Sequence, residues 1–209
     1  MSLDSLCISV FQEALRDCDD ENDAVMRSVL ATVVLALDPL PPSAITALTR
    51  FSVQKVLMVL WPIQQLLRLE EDPDHPVYPF HKLLPDLLTS LIRCSDKKFY
   101  ISPGKFHSEI ALNCLKPMMN ETREDDFSLQ TSTTDSEVQY PSALAVYAWK
   151  HWHTHLAEAR EDLKILIPTL RRFLEERWLK VLGVLRATDA ANGREATISW
   201  LREVHFNLL

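Results

Sequence analysis

Residues 51–81 read FSVQKVLMVL WPIQQLLRLE EDPDHPVYPF H. Phe51-Ser52 opens a helix, with Ser52 as its N-cap and Val56, Leu57, Val59 and Leu60 carrying it towards Pro62. The period then changes. Leu66–Glu70 and Val77–His81 are short apolar stretches on either side of a Pro/Asp-rich turn, which is a β-hairpin signal. The prolines of the second stretch predict an edge strand, since proline cannot donate to a ladder.

Upstream, Ala24 to Leu37 is a mostly apolar helix stopped by Asp38-Pro39-Leu40-Pro41-Pro42, because a proline drives its predecessor out of helical geometry. A short helix follows from about Ser43 to Thr49. Three helices and then a hairpin is the order of a winged-helix domain, assigned to residues 24–95. Residues 1–23 form a leading amphipathic helix over 3–16 and an acidic connector of Asp17, Asp19, Asp20, Glu21 and Asp23. Those carboxylates would sit at the positive end of the next helix.

Downstream, Lys82 to Ile92 reads as an apolar helix with Pro85 near its first turn. Phe99-Tyr100-Ile101 is extended and leads through Ser102-Pro103 into a helix reaching about Met119, with Ile110, Ala111, Cys114, Leu115 and Met118 on its buried face. A polar, Thr-rich stretch predicts a flexible loop near 120–140. Helices are expected over 142–159, 162–185 and 190–206. The fold class is therefore mainly α: a winged-helix domain with a small β-hairpin, followed by an α-helical bundle over 96–209.

The chain of 209 residues has only three glycines, Gly104, Gly183 and Gly193, where ordinary usage gives about fifteen. No two are closer than ten residues, so no Walker A loop, GxGxxG turn or GxSxG elbow is present. The net charge of −7 arises entirely in residues 1–92, with six basic and thirteen acidic side chains against sixteen of each in 93–209. That balance disfavours nucleic acid and anionic membranes as partners. Cys7, Cys18, Cys94 and Cys114 are scattered, with no CxxC pair, and read as reduced, buried thiols. The longest apolar run, Val29 to Leu37, is too short for a bilayer span, and a cytoplasmic location is expected.

Catalytic and metal candidates are few. His151 and His155 share a helix face and Glu158 could add an oxygen, so a zinc site is conceivable by spacing. Trp152, however, stands where an HExxH motif has its general base, and the plainer reading is packing. His107 and Glu109 lie near a helix start with no catalytic partner evident from spacing. The third helix, Ser52 to Trp61, offers Lys55 as its one cation, so a winged-helix DNA-binding regulator is the alternative function and an apolar, protein-binding face the favoured one. No enzyme, cofactor or metal is expected from the chain in isolation. His81 alone reads as a cap on local structure.

The run Pro76-Val77-Tyr78-Pro79-Phe80-His81-Lys82-Leu83-Leu84-Pro85-Asp86-Leu87-Leu88, with Arg93-Cys94 and Phe99-Tyr100-Ile101-Ser102-Pro103, resembles the region that follows the ATPase core in basidiomycete NACHT proteins. These are STAND-class, NLR-like receptors, often with C-terminal WD repeats. The similarity takes in Leu3–Leu6, Val29–Leu35, His107–Leu112, Tyr147-Ala148, Trp152, His155-Leu156 and Phe173–Glu176. In that family a histidine in a motif F-H-x-S-F-x-D-F-L senses the ADP β-phosphate, and His81 occupies that position. Asp86 and Leu88 fit the motif, whereas Leu83 replaces its serine and Leu84 and Leu87 its phenylalanines. The resemblance implies a truncated or split receptor: a non-catalytic regulatory module that docks on a NACHT ATPase core or other protein domains and couples nucleotide state to a sensor or effector. An imidazole suits the sensing role because it can donate to a phosphate oxygen.

Overall fold

The computed structural model describes residues 2–14, 16, 20–70, 72, 74–120 and 142–187. The elements are α1 (Leu3–Ala14), α2 (Asp20–Leu35), α3 (Pro42–Thr49), α4 (Val53–Leu60), a 3-10 turn at Trp61–Ile63, β1 (Leu67–Arg68), β2 (Tyr78–Pro79), α5 (Leu83–Leu88), α6 (Pro103–Asn120), α7 (Ala143–Glu158) and α8 (Leu163–Ala187). The fold is mainly α with one small antiparallel sheet, and the order of three helices and a hairpin is that of a winged helix. Of the loop expected near 120–140, Asn120 ends α6 and the rest lies outside the described residues, as do the helix over 190–206 and Cys18.

Local chemistry sets the helix ends. Pro42 begins α3, where its missing N–H costs nothing, and Arg50 closes it in the left-handed region at φ 62°, its N–H donating to the Thr46 carbonyl. Ser52 caps α4 as the sequence predicts, its hydroxyl accepting from the Lys55 N–H at 3.4 Å. Ser142 caps α7 in the same way through Ala145 N–H. The acidic stretch differs from expectation: Asp20 to Asp23 form the first turn of α2 rather than a connector ahead of it. Acidic residue types are favoured at a helix N-terminus, so the stretch is compatible with a helix that begins inside it.

In the hairpin Leu67 faces Pro79 and Arg68 faces Tyr78. Leu40, in the proline-rich stop after α2, also pairs with Val77, whose N–H donates to its carbonyl at 2.8 Å. The second strand is thus flanked on both sides at its start and is not a plain edge. Amide directions alternate along a strand. Phe80 N–H points to Leu66, while Val77 N–H points to Leu40, so the Pro79 nitrogen lies on the Leu40 side, beyond the single bridge. Proline is accommodated because no partner is left there to pair with.

The helix expected over 82–92 is shorter. It ends at Leu88, the Thr89 hydroxyl turns back to the Pro85 carbonyl, and Ile101 N–H takes the Leu88 carbonyl at 2.9 Å. Leu91 and Ile92 are 68% and 95% exposed on the following turn. Their apolarity suggested burial that the chain reversal at 89–94 prevents.

The leading helix is not a loose appendage. Cys7, Ile8 and Phe11 are buried, the Phe11 and Phe99 rings sit 5.3 Å apart, and Arg93 grips Asp4 through two bonds of 2.7 and 3.0 Å. Of the described cysteines, Cys7, Cys94 and Cys114 are free and buried, as read from their scatter.

At the centre lies α6. It packs against α7, α8, α2 and α3, and Ile110, Ala111, Cys114, Leu115 and Met118 are all buried, as their spacing predicts. The buried side chains from α1 through α8 form one continuous apolar core. No single helix among the described residues is long and apolar enough to cross a membrane. Only α3 and α4 together reach the length, across a bend of 115°.

Candidate functional site

His81 sits exposed between β2 and α5. Its Nδ1 accepts the Leu83 N–H at 3.0 Å and its carbonyl accepts the Leu84 N–H at 3.1 Å, so it caps the start of α5. With Nδ1 occupied as an acceptor, the neutral ring carries its proton on Nε2, which is a hydrogen-bond donor. The neighbouring Phe80 is 65% exposed. The capping role read from the residue alone is therefore observed.

On α4, Val56, Val59 and Leu60 point into the core. Val53, Gln54, Met58 and Trp61 remain on the outward side, with Lys55 half-buried. This surface is uncharged and largely apolar. It supplies little to phosphates and much to an apolar partner surface.

The three histidines of α7 part company. His151 is buried, and its Nε2 lies 2.8 Å from Asp38 Oδ2, an oxygen shared with Lys150 Nζ at 2.5 Å. These two bonds hold the Asp38 carboxyl below its ordinary range. His155 is fully buried between two partners: Tyr147 Oη at 2.6 Å from Nε2, and His107 Nδ1 at 2.8 Å from its own Nδ1. His153 is half-buried, and its Nδ1 has no hydrogen-bond partner among the described residues.

The zinc set conceivable from spacing is not assembled. His151 and His155 are committed to different partners and Glu158 is exposed, and no group of three His, Cys, Asp or Glu side chains among the described residues could hold a metal ion. His107, which had no partner by sequence, finds one forty-eight residues away. Glu109 beside it is buried enough to raise its carboxyl above the ordinary range. Burial pushes the Cys114 thiol up to about 12, which keeps it unreactive at neutral pH.

The protons in this cluster can be placed. Leu37 N–H donates to Tyr147 Oη at 3.3 Å. If Tyr147 donates its hydroxyl proton to His155 Nε2, then His155 carries its proton on Nδ1 and gives it to His107 Nδ1, and His107 carries its own on Nε2. Every contact then joins one donor to one acceptor with both rings neutral. Burial, with the nearby imidazoles of His107, His151 and His153 adding to it, drives His155 down to about 3, and burial lowers His107 as well. Tyr147 is pushed up, chiefly by burial, and remains a phenol.

Only part of this cluster was visible in the sequence. Tyr147, His151 and His155 recur every four residues, which places them on one helical face. Nothing in the sequence marked His107, Leu37 or Asp38 as their partners. The chain matches no protein-family model, no curated protein and no solved structure.

Proposed function

We propose that this chain is a non-catalytic regulatory module that docks on a nucleotide-binding protein core of the NACHT type, with the winged helix as its docking part and the helical region behind it as its relay. The observation that carries this reading is His81. It stands exposed at the junction of β2 and α5, its ring fixed through Nδ1 to the start of α5, so that Nε2 is the nitrogen with a proton to give. A phosphate oxygen presented by a docked core would be a suitable acceptor.

Two further observations support docking on protein. The outward side of α4 is apolar and uncharged apart from Lys55, and Phe80 stands exposed next to His81. The absence of any glycine-rich phosphate loop from the 209 residues means that the nucleotide would come with the partner.

The test has two parts. ATP or ADP titrated into the purified protein should give no heat, and micromolar binding would contradict a module that depends on a partner for its nucleotide. Mixed with an ADP-loaded NACHT ATPase core, the protein should form a complex on size exclusion that His81→Ala weakens by at least about tenfold, the loss expected for one charge-assisted bond. A complex indifferent to His81→Ala would remove the sensing role, and no complex at all would remove the docking role.

A further inference from the structure

The two Nδ1 atoms of His107 and His155, 2.8 Å apart, leave room for one proton between them. We propose that the Tyr147–His155–His107 chain is a proton-operated latch: one additional proton on the pair opens the corner between the start of α6 and the end of α7, while Asp38 holds the middle of α7 in place.

The geometry requires this choice. With both rings neutral, each contact has one donor and one acceptor. A further proton placed on Nδ1 of His107 forces His155 to move its own proton to Nε2 and to donate it to Tyr147. The Tyr147 oxygen then receives two N–H groups, from His155 and Leu37, and among the described residues its hydroxyl proton has no other acceptor within hydrogen-bond reach. The reversed chain therefore strands a buried donor and buries a charge, and separating the two rings into water avoids both costs.

The surroundings compensate that charge only in part. From α7, His151 and His153 oppose a proton on His155. From α6, Lys105 stands 4.0 Å from Glu109, so the nearest acid on that helix is already facing a cation, and Cys114 faces Tyr147 as a neutral thiol. At the end of α7 the exposed Glu158 favours a charge on His107, and Arg160 just beyond opposes it, burial outweighing both. From α8 the contact is Phe173, against Trp152. The carboxylate from the α2–α3 connection, Asp38, is engaged by Lys150 and His151. Lys150 and His151 are thus tied to Asp38 independently of the His107–His155 contact, which confines the opening to the last turns of α7.

Hydrogen exchange read by mass spectrometry tests the latch on the intact protein at pH 7.5 and pH 5.0, with rates corrected for the intrinsic pH dependence of exchange. Peptides covering 103–110 and 151–158 should exchange faster at pH 5.0, by up to about tenfold per pH unit below the ordinary histidine range, through an opening whose free energy stays well below that of peptides over α3, which follow global unfolding. The double variant Tyr147→Phe, His155→Leu should lose this local acceleration. Equal opening free energies in α3, α6 and α7 at pH 5.0 would mean general acid destabilisation without a local opening and would overturn the latch, as would no acceleration. Should the double variant fail to fold at pH 7.5, ring-nitrogen NMR of the wild type decides. His155 should stay neutral with its proton on Nδ1 at pH 5.5, and titration in the ordinary histidine range would end the proposal.

Discussion

The Cβ of Arg160 lies 2.8 Å from the place a Cβ on Gly104 would occupy, and the Arg160 N–H donates to the Gly104 carbonyl at 3.1 Å. This close approach joins the first turn of α6 to the segment after α7. Ser108 reinforces it, its hydroxyl lying 2.9 Å from the Gly104 carbonyl and 2.5 Å from that of Glu161. Of the chain's three glycines, this one is required by packing.

Gly104→Ala should therefore destabilise the protein despite alanine's better helix propensity. The atom in the way is a Cβ held close to its backbone, which cannot swing aside as a side-chain tip could. A loss of about 1–3 kcal/mol is expected, the range of overpacked sites. It would be read from the urea midpoint at an unchanged m-value, and a stabilised variant would show that the corner can relax.

Phe11→Ala tests whether α1 belongs to the core. Phe11 is fully buried against Phe99, so truncation should cost about 3–5 kcal/mol. A loss below about 1 kcal/mol in chemical denaturation would mean that α1 detaches at little cost.

Stability should rise with pH across the acid range. His155 titrates far lower in the folded chain, at about 3, than in the unfolded chain, at about 6.5, so between those values the unfolded state binds the extra proton. The stability His155 contributes is complete above about pH 6.5. It declines as pH falls towards about 3, by up to about 1.4 kcal/mol per pH unit. His107, lowered by burial, acts in the same direction. Urea midpoints between pH 7.5 and 4.5 should show this slope, and a flat profile would contradict it.

Replacing Ile92 by Ser should change stability by less than about 0.5 kcal/mol, because its side chain lies on the surface beyond the end of α5. Leu87→Ala, only five residues earlier and fully buried, should cost about 2–5 kcal/mol. Equal losses in thermal unfolding would place both residues in the core, as a helix continuing to residue 92 would have done.

Helix existence was legible wherever a cap and an apolar spacing agreed. Ser52 marks a helix start and the prolines at 39, 41 and 42 a helix stop through chemistry confined to three or four residues, and the stripe from Ile110 to Met118 faces the core because its spacing leaves it no other face to bury. The end of α5 was not legible. Leu91 and Ile92 are as apolar as Leu87 and Leu88, and what separates them is the Leu88 carbonyl accepting from Ile101, thirteen residues away.

The candidate site divides in the same way. His81 caps α5 through its own neighbours, so its local role could be read from the chain. The His107–His155–Tyr147 chain could not, since hydrogen bonds between α6, α7 and the end of α2 carry no trace in local spacing. The sequence by itself determined a mainly helical chain, its hairpin and the absence of any phosphate loop, because propensity, capping and composition act over a few residues. Tertiary structure alone decided that Leu40 joins the hairpin, that Gly104 admits no side chain, and that the His107 and His155 imidazoles meet through their Nδ1 atoms, because each depends on atoms that only folding brings within about 3 Å.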